Sequence, residues 1–159
     1  SAAEAVSASA HRRGRRLELR YAVTGTDALV LPKPAAPART DELWKHTCVE
    51  AFVRGDGEGY FEFNLSPSGQ WAAYRFDGYR SGMTDAPLEP ETEVIRTADG
   101  FELAAAIELP DDGPWRVGLT AVIEGADGVS YWSLAHPAGR PDFHHADCLA
   151  ITLPATGTP

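Results

Sequence analysis

The sequence predicts an all-β fold in which two antiparallel sheets pack face to face. Three features predict it. Apolar and polar residues alternate with period two along nearly the whole chain, clusters of Gly, Asp, Ser and Pro separate the alternating runs, and no window carries the 3.6-residue apolar period of an ordinary helix.

Each run reads as a strand for the same reason: successive side chains leave a strand on opposite faces. Leu17, Leu19, Tyr21 and Val23 share one face, with charged residues on the other. Residues 47–53 place Val49, Ala51 and Val53 opposite Cys48, Glu50 and Phe52, which puts Glu50 on a second sheet face or in a cleft. Residues 60–65 set Phe61, Phe63 and Leu65 against Tyr60, Glu62 and Asn64. Residues 71–76 set Ala72, Tyr74 and Phe76 against Trp71, Ala73 and Arg75, and the intervening Ser66-Pro67-Ser68-Gly69 makes these two runs a hairpin. Residues 101–109, 115–123, 129–134 and 149–153 complete the set. Their turns, Ala98-Asp99-Gly100, Asp111-Asp112-Gly113-Pro114 and Ala126-Asp127-Gly128, pair Gly with Asp, which tolerates unusual backbone angles. Roughly eight to ten short strands of this kind predict a sandwich, jelly-roll or immunoglobulin-like, rather than a parallel α/β fold.

Length and composition fit one domain. A chain of 159 residues, 43% hydrophobic and 23% charged, buries roughly 70% of its unfolded surface without needing staples. Residues 1–14 are expected to be a flexible N-terminal segment and residues 15–155 the domain. The Pro-rich stretch 32–37 reads as a rigid surface connection. A net charge of −9, with the main basic cluster confined to residues 11–16, argues against nucleic acid as a partner, and no apolar run is long enough to span a bilayer. Two cysteines, Cys48 and Cys148, are too few for a disulfide framework. They are expected as buried free thiols, which, with no signal-peptide pattern in residues 1–10, points to the cytoplasm.

Two segments go beyond generic alternation. Leu43-Trp44-Lys45-His46-Thr47-Cys48-Val49-Glu50-Ala51-Phe52-Val53 resembles the Trp-x-x-Asp-x-Val-Glu-x-Phe signature of the DOMON-like and family 9 carbohydrate-binding superfamily. Tyr131-Trp132-Ser133-Leu134-Ala135-His136-Pro137, running on to Pro141-Asp142-Phe143-His144-His145, is similar to the closing Trp-Ser loop of those modules. The stretch from Tyr60 to Arg80 resembles a bacterial subgroup of stand-alone DOMON-like domains. Where many relatives carry Asp before the Val-Glu pair, this chain has Thr47-Cys48, so Glu50 is the acid of the motif that survives.

The resemblance implies a ligand-binding cleft rather than an active site. Sugar-binding members cover the apolar face of a pyranose with indoles and bond its hydroxyls with Glu, Asn and Arg. The matching residues here are Trp44, Glu50, Asn64, Arg75, Trp132 and His136, with a small polar or sugar-like ligand as the partner. Against this stand burial of both indoles in the core and a plain ion pair of Glu50 with Arg75 or Arg80. Haem held between Met83 and one of His136, His144 and His145, or a divalent metal on those histidines, is a second reading. A protein partner meeting Trp71, Tyr74 and Tyr79 is a third. No nucleophile with its base, phosphate cradle or paired catalytic carboxylates is declared by the sequence, so no enzyme is expected.

Overall fold

The computed structural model describes residues 2–133 and 148–155. It is all-β, with two antiparallel sheets forming a sandwich. The strands are β1 (Ala3–Arg13), β2 (Arg16–Gly25), β3 (Cys48–Arg54), β4 (Tyr60–Leu65), β5 (Trp71–Phe76), β6 (Thr84–Asp85), β7 (Glu91–Arg96), β8 (Gly100–Glu108), β9 (Trp115–Gly125), β10 (Gly128–Ser133) and β11 (Ile151–Leu153). One sheet has the order β1-β2-β8-β7. The other runs β10-β9-β3-β4-β5-β6, with β11 paired to β9.

The N-terminal segment differs from the expectation. Residues 3–13 form an 11-residue strand paired along its length with β2, from Ala3 opposite Gly25 to Arg13 opposite Arg16. Its alternation is written in small residues: Ala3, Val6, Ala8 and Ala10 pack on the core while Ser7, Ser9 and His11 alternate with them. Alanine and serine carry little strand signal, so the pattern reads as a tail until a partner strand is present. Arg12 anchors this end. Its guanidinium lies 3.5 Å from the centre of the Trp115 ring and donates to the carbonyls of Gly113 (2.6 Å), Asp112 (3.0 Å) and Pro154 (3.1 Å).

The core lies between the sheets. Leu17, Leu19, Tyr21 and Val23 from β2 and Phe101, Leu103, Ala105 and Ile107 from β8 meet Val49, Ala51, Val53, Phe63, Leu65, Ala73, Val117, Leu119, Ala121 and Ile123 of the opposite sheet. These are the alternating sets that the sequence defines. The expected hairpin is present as well: Leu65 pairs with Trp71, the Ser66 amide donates to the Gln70 carbonyl at 3.0 Å, and Gly69 takes φ +99°, which a glycine adopts without steric cost.

The seven-stranded sheet also carries a second buried layer on its outer face. Leu43, Cys48, Phe52, Tyr60, Ala72, Tyr74, Phe76, Val122, Cys148 and Leu149 form an apolar cluster there. Both cysteines are buried and free. The backbone of Cys148 crosses this face directly over Gly118, where a Cβ would stand 2.6 Å from the Cys148 carbonyl oxygen. Only glycine permits that approach.

Candidate functional site

Strand register brings four polar side chains together on this outer face. Glu50 on β3 pairs with Asn64 on β4 to one side and with Thr120 on β9 to the other, so the three lie in one cross-strand row. Glu62 stands two residues before Asn64 on the same face, opposite Phe52 and Tyr74. All four are buried, Glu50 at 3% exposure, Glu62 at 6%, Thr120 at 3% and Asn64 at 0%. Buried carboxyls and amides are costly unless satisfied, so each partner matters.

Glu50 is held from two directions. The Thr120 hydroxyl donates to Glu50 Oε1 at 3.2 Å, and the Tyr21 hydroxyl reaches across the sandwich to donate to the Glu50 backbone carbonyl at 2.5 Å. Burial is the main reason that the Glu50 carboxyl lies well above the usual carboxylate range, with the nearby Glu62 charge adding to it and the Thr120 hydrogen bond opposing it. Burial likewise raises Glu62, to about 7, against the opposing effects of Asn64, Arg80 and Glu50. Burial and the neighbouring Glu50 also push up the Cys48 thiol and the Tyr21 hydroxyl.

Asn64 is the exception to this satisfaction. It lies near enough to Glu62 to favour that group's ionised form, yet neither its Oδ1 nor its Nδ2 completes a hydrogen bond of normal geometry. A fully buried carboxamide with both ends unpartnered costs about 1–3 kcal/mol.

Aromatic and cationic groups stand around the polar row. Leu43 plugs into the outer-face cluster and so seats the 3₁₀ turn Leu43–Lys45 against β3 and β4, leaving the next residue, Trp44, half exposed. Tyr131 on β10 pairs with Val122, which places it on the Glu50 face, exposed. The Tyr60 ring stacks on Phe76 with 4.8 Å between centroids, and its hydroxyl accepts from the Arg80 amide at 3.0 Å. That bond fixes Arg80, whose φ of +52° is left-handed, where its charge favours ionised Glu62. Tyr74 donates to Asp41 at 2.7 Å, and this hydrogen bond, after burial, raises its hydroxyl.

The structure thus sets Glu50 and Asn64 in one row, with the turn that carries Trp44 seated against the same two strands, and separates others from it. Arg75 pairs with Phe61 on the inter-sheet side of β5, its guanidinium 5.5 Å from the Phe61 ring centre, and so does not face Glu50. The nearby cation is Arg80. Trp132 pairs with Ala121 and packs half-buried on the inter-sheet core, and its Nε1 donates to Ser130 at 3.2 Å. Tyr131 takes the face expected of Trp132. Both departures are parity effects, since one residue of shift along a strand exchanges faces. The proposed aromatic surface of Trp71, Tyr74 and Tyr79 also does not form: Trp71 and Tyr74 are buried on opposite faces of β5, leaving Tyr79 exposed. His136, His144 and His145 lie outside the described residues. Met83 is exposed beside β6, and no cluster of three metal-ligating side chains occurs among the described residues. Among the described residues no helix is long and apolar enough to cross a membrane. Glu62, Thr120 and Arg80 are the site residues absent from the sequence-derived set. Glu62 carried a usable signal, because it shares a face with Asn64 by parity.

No protein-family model matches the chain, and no curated protein matches it in sequence. A solved structure does. The crystal structure of a Bacteroides uniformis protein, provisionally named as carbohydrate-binding, superposes with a TM-score of 0.64 and 20% sequence identity, covering 90% of this chain and 75% of that one. At that identity the likeness is one of fold.

Proposed function

We propose that the chain is a non-catalytic binding module of the DOMON-like and family 9 carbohydrate-binding type, taking a saccharide or similar small polar ligand on the outer face of its seven-stranded sheet. Asn64 carries this reading. A buried carboxamide with neither end in a hydrogen bond of normal geometry leaves polar capacity that a ligand can use, and its neighbours Glu50 and Glu62 offer the oxygen chemistry that hydroxyls recognise. Trp44 supplies an exposed indole at the edge of the same face, suited to the apolar side of a pyranose. The sandwich that this chain shares with a protein named for carbohydrate binding supports the same class of ligand.

The test is a panel of immobilised glycans probed with the full chain, followed by calorimetric titration of the best binder. Saturable binding that weakens about tenfold in Trp44→Ala and is lost in Asn64→Leu, with both variants folded, is the expected result. A blank panel, or binding indifferent to Asn64→Leu, contradicts the assignment.

A further inference from the structure

Among the described residues no second layer covers the outer face of the four-stranded sheet, whose side chains alternate with the core set and are exposed or half-buried. Strand register fixes the layout of that face. Ser9 on β1 pairs with Arg20 on β2, Arg20 with Ala104 on β8, and Ala104 with Glu93 on β7. The rows to either side read His11, Glu18, Ala106, Glu91 and Ser7, Ala22, Glu102, Ile95, and the hairpin end adds Arg13, Arg16 and Glu108. On this face the basic residues therefore stand on β1 and β2, while β7 and β8 carry four carboxylates and no base. Glu18 holds Arg13 at 3.3 Å and Arg16 at 3.8 Å, whereas Arg20, Glu91, Glu93, Glu102 and Glu108 form no ion pair among the described residues. Ala22 and Ala104 floor a trough of about 370 Å³ between them, walled by Arg20, Glu93, Glu102 and the exposed Ile95.

We propose that this face docks on the same face of a second copy of the chain, about a twofold axis that runs parallel to the strands between β2 and β8. That axis lays β1 over β7 of the second copy and β2 over its β8. Arg20 then stands over Ala104 of the second copy, in the trough between Glu93 and Glu102, while Arg16 meets Glu108, His11 meets Glu91, and Glu102 fills the space above Ala22. At each of these positions bulk meets a small residue or a charge meets its opposite, which is the self-complementarity that an isologous interface requires. The other face-to-face twofold, perpendicular to the strands, lays β7 on β7 and sets Glu91 and Glu93 against their own copies, and like charges facing each other oppose it. Aligned sheets pack about 10 Å apart at an angle of about 30°, so the match is tightest near the axis, at Arg20 and Ala104. Four strands about 4.8 Å apart and about 25 Å long offer roughly 500 Å² on each copy, less than the roughly 800 Å² of a standard interface, so the dimer is weak and concentration-dependent. It leaves the outer faces of both seven-stranded sheets free and pointing away from each other, and it forms whether or not those faces bind a saccharide.

Sedimentation equilibrium of the full chain, from micromolar to millimolar concentration, tests this. The buffer holds about 0.15 M NaCl, which screens the repulsion between two copies of net charge −9 beyond about 8 Å and leaves close charge pairs largely intact. The parent chain should dimerise reversibly. Arg20→Glu and Glu93→Arg should each weaken self-association at least about tenfold, because each sets like charges together across the interface. Mixed in equal amounts, the two variants should associate with each other within about threefold of the parent's affinity, since every reversed charge then meets its opposite on the other chain. Both side chains are exposed, so the thermal melts of the variants should match the parent's. A chain that stays monomeric throughout leaves the face to a different occupant and overturns the assignment. A dimer indifferent to Arg20→Glu, or two variants that fail to associate when mixed, places the contact elsewhere and overturns it as well.

Discussion

The two faces of the seven-stranded sheet are made by the same strands and differ in kind. Its inner face is apolar along β3, β4 and β9, through Val49, Ala51, Val53, Phe63, Leu65, Val117, Leu119 and Ala121. Its outer face alternates with these residues one position away, and there Glu50, Glu62, Asn64 and Thr120 are buried beside Phe52, Tyr60, Tyr74 and Phe76. A sheet buried on both faces needs no acids for stability, and replacing buried ion or polar networks with apolar residues is often neutral or favourable. The inner face accounts for the fold; the outer face carries a cost that folding does not explain.

Substitutions can break this comparison, and the largest effect belongs to the inner face. Phe63→Ala should lower unfolding stability by about 3–5 kcal/mol in denaturant melts, because a fully buried ring leaves a cavity between the sheets. A loss below about 1 kcal/mol would deny that the inner layer holds the fold. Asn64→Leu should act in the opposite direction. Removing two unpartnered buried atoms at similar volume should raise stability by about 1 kcal/mol or more while ligand binding disappears, a trade that a purely structural asparagine would not show.

The acid pair gives a smaller, pH-dependent difference. Carboxyls whose pKa is raised by folding bind protons more tightly in the native chain, so they stabilise fully in acid and lose that contribution as pH rises. For Glu62 the loss runs from about 4.5 to about 7, at up to about 1.4 kcal/mol per pH unit for one proton. Glu62→Gln should therefore show a flatter stability profile than the parent over that window and exceed it at pH 8. Parallel profiles would mean that Glu62 titrates normally. Smallest of all, Trp44→Ala should shift stability by less than about 0.5 kcal/mol, since half of that side chain is in solvent, and should act on binding alone.

Much of this was legible from alternation. The core sets of β2, β3, β4, β8 and β9 follow from parity, and Glu50 and Asn64 were both visible as polar interruptions on strands otherwise apolar. Parity within a strand does not say which face meets the other sheet, however. The resemblance implies a cleft that Arg75 and Trp132 share with Glu50, and only the pairing of Arg75 with Phe61 and of Trp132 with Ala121 puts them on the other face. Short or small-residue strands escaped for a different reason: β6 has two residues, and β1 alternates Ala with Ser, so neither has enough side-chain contrast to declare a period. Arg80 reaches Glu62 through a left-handed loop held by Tyr60, a tertiary contact with no local signal.

The most direct measurement is the side-chain amide resonance of Asn64, assigned by its loss in Asn64→Leu and followed by NMR as D-glucose is added at pH 8. The account predicts a saturable shift of that resonance, with the inner-face amides of Phe63 and Leu119 little changed. An Asn64 signal that stays still at saturating D-glucose would contradict a site on the outer face of this sheet.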